Sequence, residues 1–462
     1  MKITMPEKVQ YILQQLHDNG YEAYAVGGCV RDALLGREPE DWDITTSAKP
    51  EQVKALFRRT VDTGLQHGTV TVMLDKDGFE VTTYRIDGLY EDGRHPTEVT
   101  FTGDLIEDLK RRDFTINAMA YSEETGIVDA FDGVGDLDRQ VIQCVGDPRE
   151  RFSEDALRIL RAVRFGAQLD FDIEENTRLA ILEKAPTLSK ISAERIRVEL
   201  DKLLCSKHPE RLLVAKELGI TKVVFPEFDI MLATPQNHPH HQYNVGIHSL
   251  KTVENVQKLA REAAIDKKDF SVLTWTAMLH DVGKSQCLTV DEKGITHFYN
   301  HPAAGKELAR KILRRLRFDN YTIDMACHLI QYHDVEFSLK RNKMRKCMNV
   351  IGAEKMPYLF LLVKGDKLAQ SMYQREEKME KLAAAEALYK DIVEEKECVN
   401  LKMLAVNGSD LLSIGFPRGK CMGEMLQSLL ELVLEDPQQN TKENLLTIAK
   451  RSIPTEETHR LT

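Results

Sequence analysis

The 462-residue sequence predicts an α+β N-terminal domain, a small mixed sheet with helices, followed by a succession of all-α units. Three observations carry this. Strand-like runs crowd into residues 22 to about 145 and nearly vanish after Pro148. Beyond that point apolar residues recur at helical spacing, in ERFSEDALRILRAVRFGAQL, ENTRLAILEKA and SAERIRVELDKLLCS. The length also exceeds what one core organises, so roughly three or four units are expected.

Taken in order, MKITMPEKVQYILQQLHDNG reads as a short amphipathic helix without the apolar centre of a signal peptide. EAYAVGG, WDITT, HGTVTVML and FEVTTYRI read as strands, bounded by Gly, Asp and Pro. CVRDALLG and PEQVKALFRRT lie between them as helices, with Pro50 suited to a first turn. The first long run of the helical part is read as a helix, Ser153 preceding its acidic first turn, and Pro186 interrupts the run further on. HPHHQYN, around 238 to 244, reads as a linker. The expected divisions are a mixed head over 1–146, a helical neck and body over 147–230, a second helical domain over 231–390 and a helical tail over 391–462.

Hydrophobic residues at 42% and charged residues at 29% are ordinary for a soluble globular protein. No run of 18 apolar residues occurs, so no membrane span is expected and the chain reads as cytoplasmic. Eight cysteines are scattered without a CxxC pair, which argues against a zinc ribbon or disulfide framework. The net charge of −10 does not exclude a nucleic-acid partner, because phosphate binding depends on local basic surface. Lys110-Arg111-Arg112, the Arg158/Arg161/Arg164 series and the stretch from Arg310 to Arg317 supply such surface. Surface helices carry similar runs without a partner, so charge alone leaves the question open. No protein partner is indicated.

The densest chemistry lies in VGGCVRDALLGREPEDWDITT. Gly27 and Gly28 end a strand and open a helix, where backbone N–H groups approach phosphates closely. Arg31 and Asp32 follow in the first turn. Asp41 and Asp43 flank Trp42; in a strand they point to one face, and two adjacent carboxylates repel unless a cation lies between them. Mg²⁺ with triphosphate oxygens fills that role, while turn capping is the plainer alternative for an isolated Asp-x-Asp.

The whole string resembles the signature of the class II tRNA nucleotidyltransferase and bacterial poly(A) polymerase family, within the polymerase-beta-like superfamily. The resemblance continues in RRDFTINAMA (111–120), in Asp132-Gly133 and in EDALRILR (154–161), so four ordered motifs cover about the first 165 residues. It implies that Asp41 and Asp43 hold two Mg²⁺ ions, with Glu80 either the third carboxylate or an exposed strand residue. It implies that Arg112 meets the triphosphate or ribose, that Asp113 and Asn117 orient it, and that Gly28 and Arg31 belong to the nucleotide site. The segment DGLYEDGRHPTEVTFT (87–102) matches the flexible stretch carried by CCA-adding and A-adding members and lacking in CC-adding ones.

Asp155 and Arg158, three apart on the predicted helix, are neighbours on one face. Cytosine and adenine each present an exocyclic amino donor beside a ring-nitrogen acceptor, which an aspartate acceptor next to an arginine donor complements. Uracil and guanine reverse that order. The motif has this role in the family; an ordinary i,i+3 salt bridge is the alternative. Arg161 and Arg164 continue the basic stripe toward nucleotide or RNA phosphates.

A second constellation comprises His248, His280-Asp281 in LHDVGK, His301, His333 and Asp366. It resembles the HD phosphohydrolase superfamily, in which His248, His280, Asp281 and Asp366 would hold a metal and His301 and His333 a second. His328 competes with His333 for that place, and Lys284 adds to the context. Imidazole with carboxylate suits Mn, Fe, Co or Ni as well as Mg²⁺; phosphoester hydrolysis and a retained structural metal both remain open. The expected activity is template-independent addition of CCA to tRNA from CTP and ATP. The alternatives are addition of the terminal A alone, poly(A) synthesis (disfavoured by the short, non-basic end PTEETHRLT), and an HD phosphohydrolase with a silent transferase domain.

Overall fold

A computed structural model describes residues 2–88 and 99–453. The centre of the predicted flexible stretch, 89–98, and the C-terminal PTEETHRLT lie outside the described residues. The chain divides into two units, Met1–Asp229 and Ile230–Thr462.

In the first unit the strands up to residue 128 are β1 Ala23–Val26, β2 Ile44–Thr46, β3 Thr60–Gly64, β4 Thr69–Leu74, β5 Asp77–Thr83, β6 Arg85–Asp87, β7 Val99–Phe101, β8 Ala120–Ser122 and β9 Gly126–Val128. All but β6 and β7, which pair with each other, form one sheet in the order β3-β4-β5-β2-β1-β8-β9. The β2–β5 pairing is parallel and the rest are antiparallel. The mixed sheet predicted for the head is therefore present. Its centre is covered on both faces, every residue of β1 and β2 being buried, whereas polar β3 at the edge is largely exposed.

The helices of this part are α1 Glu7–Asp18, α2 Gly28–Leu34, α3 Pro50–Leu56, α4 Leu105–Lys110 and α5 Gly133–Arg139. Helix α1 buries Val9, Ile12, Leu13 and Leu16, at helical spacing. Leu105 and Leu109 of α4 pack with Tyr24, Val26, Tyr84 and Ala120.

The neck follows as α6 Pro148–Glu154, α7 Leu157–Leu169, α8 Glu175–Lys184 and α9 Ala193–Leu204, with short α10 Leu212–Glu217 and α11 Thr221–Val224. The single helix expected over ERFSEDALRILRAVRFGAQL is two. Asp147 caps α6 through the Arg149 N–H, so Ser153 is interior and its hydroxyl donates back to the Arg149 carbonyl. The backbone is extended at Asp155 (φ −142°, ψ 104°), whose carboxylate accepts the Leu157 N–H at 3.0 Å and starts α7.

After α12 Pro226–Ala233, the second unit is helical apart from a short antiparallel pair, Thr289–Val290 with Thr296–His297: α13 Val245–Glu262, α14 Lys267–Leu279, α15 Lys284–Cys287, α16 His301–Arg315, α17 Asn320–Tyr332, α18 Arg341–Ile351, α19 Met356–Ala369, α20 Arg375–Glu394, α21 Gly408–Ser413, α22 Lys420–Glu435 and α23 Lys442–Arg451. The last three enclose a small core of Leu411, Phe416, Leu429, Val433 and Leu445. All eight cysteines are unpaired. Among the described residues no helix is long and apolar enough to cross a membrane.

Candidate functional sites

Strand β2 starts at Ile44, one residue later than the Asp-x-Asp pair. The chain entering it is already bound to β1, the Val26 N–H donating to the Asp43 carbonyl at 2.9 Å. Asp41 and Asp43 are exposed on either side of buried Trp42, so the alternation of an extended chain puts both carboxylates on one side. In the parallel β2–β5 register Ile44 stands opposite Val81. Exposed Glu80, one residue earlier, is therefore level with Asp43.

The three acids act on one another. Loss of solvation pushes the Glu80 carboxyl upward, with Asp43 and then Asp41 adding to it. Asp43 is pushed upward first by the protein packed around it, with Arg112 opposing and Asp41 adding. Carboxylates placed so that Asp41 disfavours charge on Asp43, and both disfavour it on Glu80, fit a hard divalent cation with oxygen ligands.

Arg112 flanks them. A Cβ at Gly27, which has φ +82°, would stand 2.9 Å from Arg112 Nη1, so the glycine both turns the chain into α2 and makes room for the guanidinium. Arg112 Nε is buried and has no hydrogen-bond partner among the described residues, and Asp108 comes no closer than 3.7 Å. Burial lowers the Arg112 pKa, and Asp108 opposes that. An unsatisfied buried donor next to the acids suits an anionic ligand.

Gly28 is the first residue of α2. Arg31 on the same helix is turned inward, which departs from the expected nucleotide contact. Its guanidinium binds Asp32 at 2.9 Å and the Asn117 side-chain oxygen at 2.6 Å, and lies over the Phe165 ring. Asn117 thus orients Arg31, and Asp113 orients Arg161, at 2.6 Å; contrary to the expectation that they orient Arg112, neither is hydrogen-bonded to it.

In the neck the expected Asp155–Arg158 pair is not formed, because the chain bends between them. Arg158 Nη1 binds Glu154 at 2.6 Å and its Nη2 binds the Arg111 carbonyl at 3.1 Å. Asp155 is held instead by Arg195 of α9, Nη2 to Oδ2 at 2.6 Å. Arg164, expected near phosphates, is buried: it sits 2.6 Å from buried Glu199, stacks 3.8 Å over Phe165, and burial brings its pKa down to about 10. Arg161 keeps part of its surface open while bound to Asp113. Arg195 escaped the sequence reading, since its partner is 40 residues away and nothing local marks it.

The second unit gathers the six residues of the other constellation. His248 comes from α13, His280 and Asp281 from the end of α14, His301 from the start of α16, His333 from the end of α17 and Asp366 from α19. A Cβ at Gly283 would lie 2.4 Å from the His301 carbonyl and the Gly305 nitrogen, so this glycine permits α16 to approach. Each Asp281 oxygen faces two imidazoles: Oδ2 lies 3.4 and 3.3 Å from Nε2 of His248 and His280, and Oδ1 lies 3.5 Å from Nε2 of His301 and of His333. Asp366 Oδ1 is 2.9 Å from His248 Nε2.

These atoms converge without bonding well to one another. Among the described residues, Nε2 of His248 and of His280 are buried without a hydrogen bond, and Oδ2 of buried Asp281 has only the ion-pair contact of Lys284 beside the imidazoles. The Nδ1 atoms of His280, His301 and His333 each meet the carbonyl three residues back, at 2.8–2.9 Å, which assigns the proton to Nδ1 and leaves Nε2 a lone pair. Nε2 of His301 and of His333 are then 3.2 Å apart, two lone pairs in need of a cation. Burial opposes a charge on His280, yet Asp281 and Asp366 outweigh it and push the imidazole up to about 10, so that a cation takes the His280 Nε2 lone pair in exchange for a proton. The donor set fits one or two divalent ions. Lys284 bonds Asp281 at 2.8 Å. A cleft of about 600 Å³ lined by His240, His241, His333, Asp366, Lys367 and Lys378 opens beside it. His328 is elsewhere, its Nε2 on the Ile351 carbonyl at 2.6 Å.

A mixed sheet with Glu80 level with Asp43 and Asp41 on the same side two residues earlier, an arginine with an unsatisfied donor at the turn into α2, and a helical neck define a nucleotidyltransferase. Comparison with known proteins agrees. Residues 23–143 match the family described as "Poly A polymerase head domain", 170–232 "Probable RNA and SrmB- binding site of polymerase A", and 288–449 "tRNA nucleotidyltransferase domain 2 putative". A CCA-adding enzyme of Enterococcus faecalis is 35% identical over 441 residues, 95% of this chain and 94% of the relative. One from Limosilactobacillus reuteri is 53% identical over 203 residues, 44% of this chain and 50% of the relative. The crystal structure of the Bacillus stearothermophilus CCA-adding enzyme in complex with CTP is 30% identical, with a TM-score of 0.68 over 99% of this chain and 100% of that one. The chain belongs to the family of CCA-adding enzymes, which are tRNA nucleotidyltransferases.

Proposed function

We propose that the chain completes the 3′ end of tRNA by adding C, C and A from CTP and ATP without a template. The observation that carries this is Glu80 level with Asp43, with Asp41 two residues before it on the same side, beside Arg112, whose buried Nε has no partner among the described residues. Asp41 and Asp43 would hold two Mg²⁺ ions, which when bound neutralise the triphosphate and ease ionisation of the RNA 3′-hydroxyl. Glu80 would accept the proton of that hydroxyl. Arg112 directs its free donor at the triphosphate, and Gly27 and Gly28 let the chain approach it closely. Asp155 accepts from the exocyclic amino group that cytosine and adenine share, and Arg158 donates to the ring nitrogen after exchanging Glu154 for the base. The division into head 1–146, neck and body 147–230, HD-type domain 231–390 and tail 391–462 belongs to the same reading.

Addition to tRNA transcripts ending before CCA, after C and after CC, with each nucleotide alone and mixed, tests it. Completion from every start without a runaway tail is the expected result. Addition only to the CC-ended transcript means an A-adding enzyme, and long A tracts mean a poly(A) polymerase.

A second activity is supported by the converging unsatisfied Nε2 atoms of the other unit. His248, His280, Asp281 and Asp366 would hold one divalent ion, Mg²⁺ or a transition metal, and His301 and His333 a second. The site would hydrolyse phosphoesters such as 2′,3′-cyclic phosphates. His280→Ala is expected to abolish that hydrolysis and spare CCA addition, with the converse for Asp41→Ala.

A further inference from the structure

Asp155 lies at the bend between α6 and α7, and three hydrogen bonds define the direction of its carboxylate. The Leu157 N–H donates to Oδ1 at 3.0 Å, Arg195 Nη1 to Oδ1 at 3.3 Å, and Arg195 Nη2 to Oδ2 at 2.6 Å. A carboxylate offers about four lone-pair positions. Oδ1 is filled, and Oδ2 retains one acceptor position. The pair is partly buried, with side-chain exposures of 15% for Asp155 and 23% for Arg195. Arg158, the acid's neighbour in sequence, does not contribute to this arrangement: its guanidinium is engaged by Glu154 and by the carbonyls of Arg151 and Arg111.

We infer that Arg195 is a specificity-determining positioning residue: through its two-point contact it holds Asp155 with a single acceptor position open, and so makes the site take an amino group and refuse a carbonyl. The inference rests on the reading of Asp155 as the base acceptor. The chemistry is one of orientation. A carboxylate fixed in this way meets the amino group of cytosine or adenine with its free lone pair. It meets the carbonyl of uracil or guanine lone pair to lone pair, which is repulsive. The same carboxylate, free to rotate, turns until it accepts from the ring N–H that uracil and guanine present one atom further along, and the discrimination falls. The fork of an arginine is needed because a lysine offers one point of charge and leaves rotation about that contact.

The test is single-nucleotide addition of C, A, U and G to transcripts ending before CCA and after CC, by wild type, Asp155→Ala, Arg195→Met, Arg195→Lys and the Asp155→Ala/Arg195→Met double variant. The ratio of kcat/KM for CTP to that for UTP is read, because it does not depend on the fraction of enzyme folded. Arg195→Met is expected to lower that ratio tenfold or more, Arg195→Lys to fall between it and wild type, and the double variant to be no less selective than Asp155→Ala. If Asp155→Ala loses selectivity and Arg195→Met keeps it, the positioning role is overturned and the reading of Asp155 stands. If Asp155→Ala itself keeps selectivity, the reading of Asp155 fails and this inference falls with it. Should Arg195→Met not fold, Arg195→Gln replaces it, with the same outcomes.

Discussion

Asp113 ties the start of the RRDFTIN segment to the neck helix, and replacing it by asparagine is a quantitative test of that join. Its Oδ1 accepts from the Phe114 N–H at 2.9 Å and from Asn117 at 3.2 Å, and its Oδ2 takes two guanidinium nitrogens of Arg161 at 2.6 Å. Burial opposes the charge, but Arg161 and then Arg158, with the Asn117 hydrogen bond, bring its pKa from 3.8 down to about 2. That depression corresponds to about 2 kcal/mol of stability at neutral pH, which agrees with the ~1.5–3 kcal/mol of a hydrogen bond to a charged group. Asp113→Asn keeps the shape and removes the charge, so it should cost about that amount and lower the urea midpoint of the first unit by about 1 M.

The two tryptophans are divided between the units, Trp42 in the first and Trp275 in the second. In a Trp275→Phe background the fluorescence of Trp42 reports on the first unit alone. Because the folded pKa is depressed, the contribution is fully present above the unfolded value and is lost as pH falls through the folded one. The difference between parent and variant should therefore be level from pH 5 to 8, about halved near pH 3 and nearly gone at pH 2. A difference under ~0.5 kcal/mol at pH 7, or one that persists undiminished at pH 3, would refute the reasoning.

Three further outcomes follow from the same structure. Asp41→Ala or Asp43→Ala should abolish nucleotide addition while leaving tRNA affinity nearly unchanged in a gel-shift titration; substantial residual addition would sink the cation assignment. Mn²⁺ at about a hundred times its dissociation constant should stabilise the second unit by about 2.7 kcal/mol, read from Trp275 in a Trp42→Phe background. EDTA or His280→Ala should remove that gain, and an equal gain in the His280→Ala variant would place the ion elsewhere. Gly283→Ala drives a methyl against the His301 carbonyl and the Gly305 nitrogen, so it should destabilise the second unit by ~1–3 kcal/mol and weaken Mn²⁺ binding at least tenfold; an unchanged Mn²⁺ titration would mean that α16 does not set the His301 ligand.

What the sequence determined by itself is what local geometry carries. The i,i+2 rule places Asp41 and Asp43 on one side of an extended chain whether or not the strand has yet begun. The helical apolar period marks where the sheet ends and the neck begins. The adjacent His280-Asp281 pair, with its spaced histidines and distant aspartate, carries a resemblance that singles out the six residues the second unit gathers. Short polar strands such as β3 carry no such signal, because an edge that stays exposed has no apolar alternation to display.

Tertiary structure alone decided the partners. Parallel pairing of β2 with β5 sets Glu80 level with Asp43 across 37 residues of sequence. The bend at Asp155 separates it from Arg158, so Asp155 is met by Arg195 from 40 residues on, and Asp113 by Arg161 from 48. Arg31 and Arg164 read as phosphate contacts because arginines near a nucleotide motif invite that reading; in the fold they lie against Phe165, one bound to Asp32 and Asn117 and the other beside Glu199. A guanidinium has a long reach and five donors, and each settles on whichever acids the packed helices bring near. Sequence spacing registers neighbours along one element, whereas the burial of apolar faces decides which elements meet, and with them which charges are paired and which remain open to substrate.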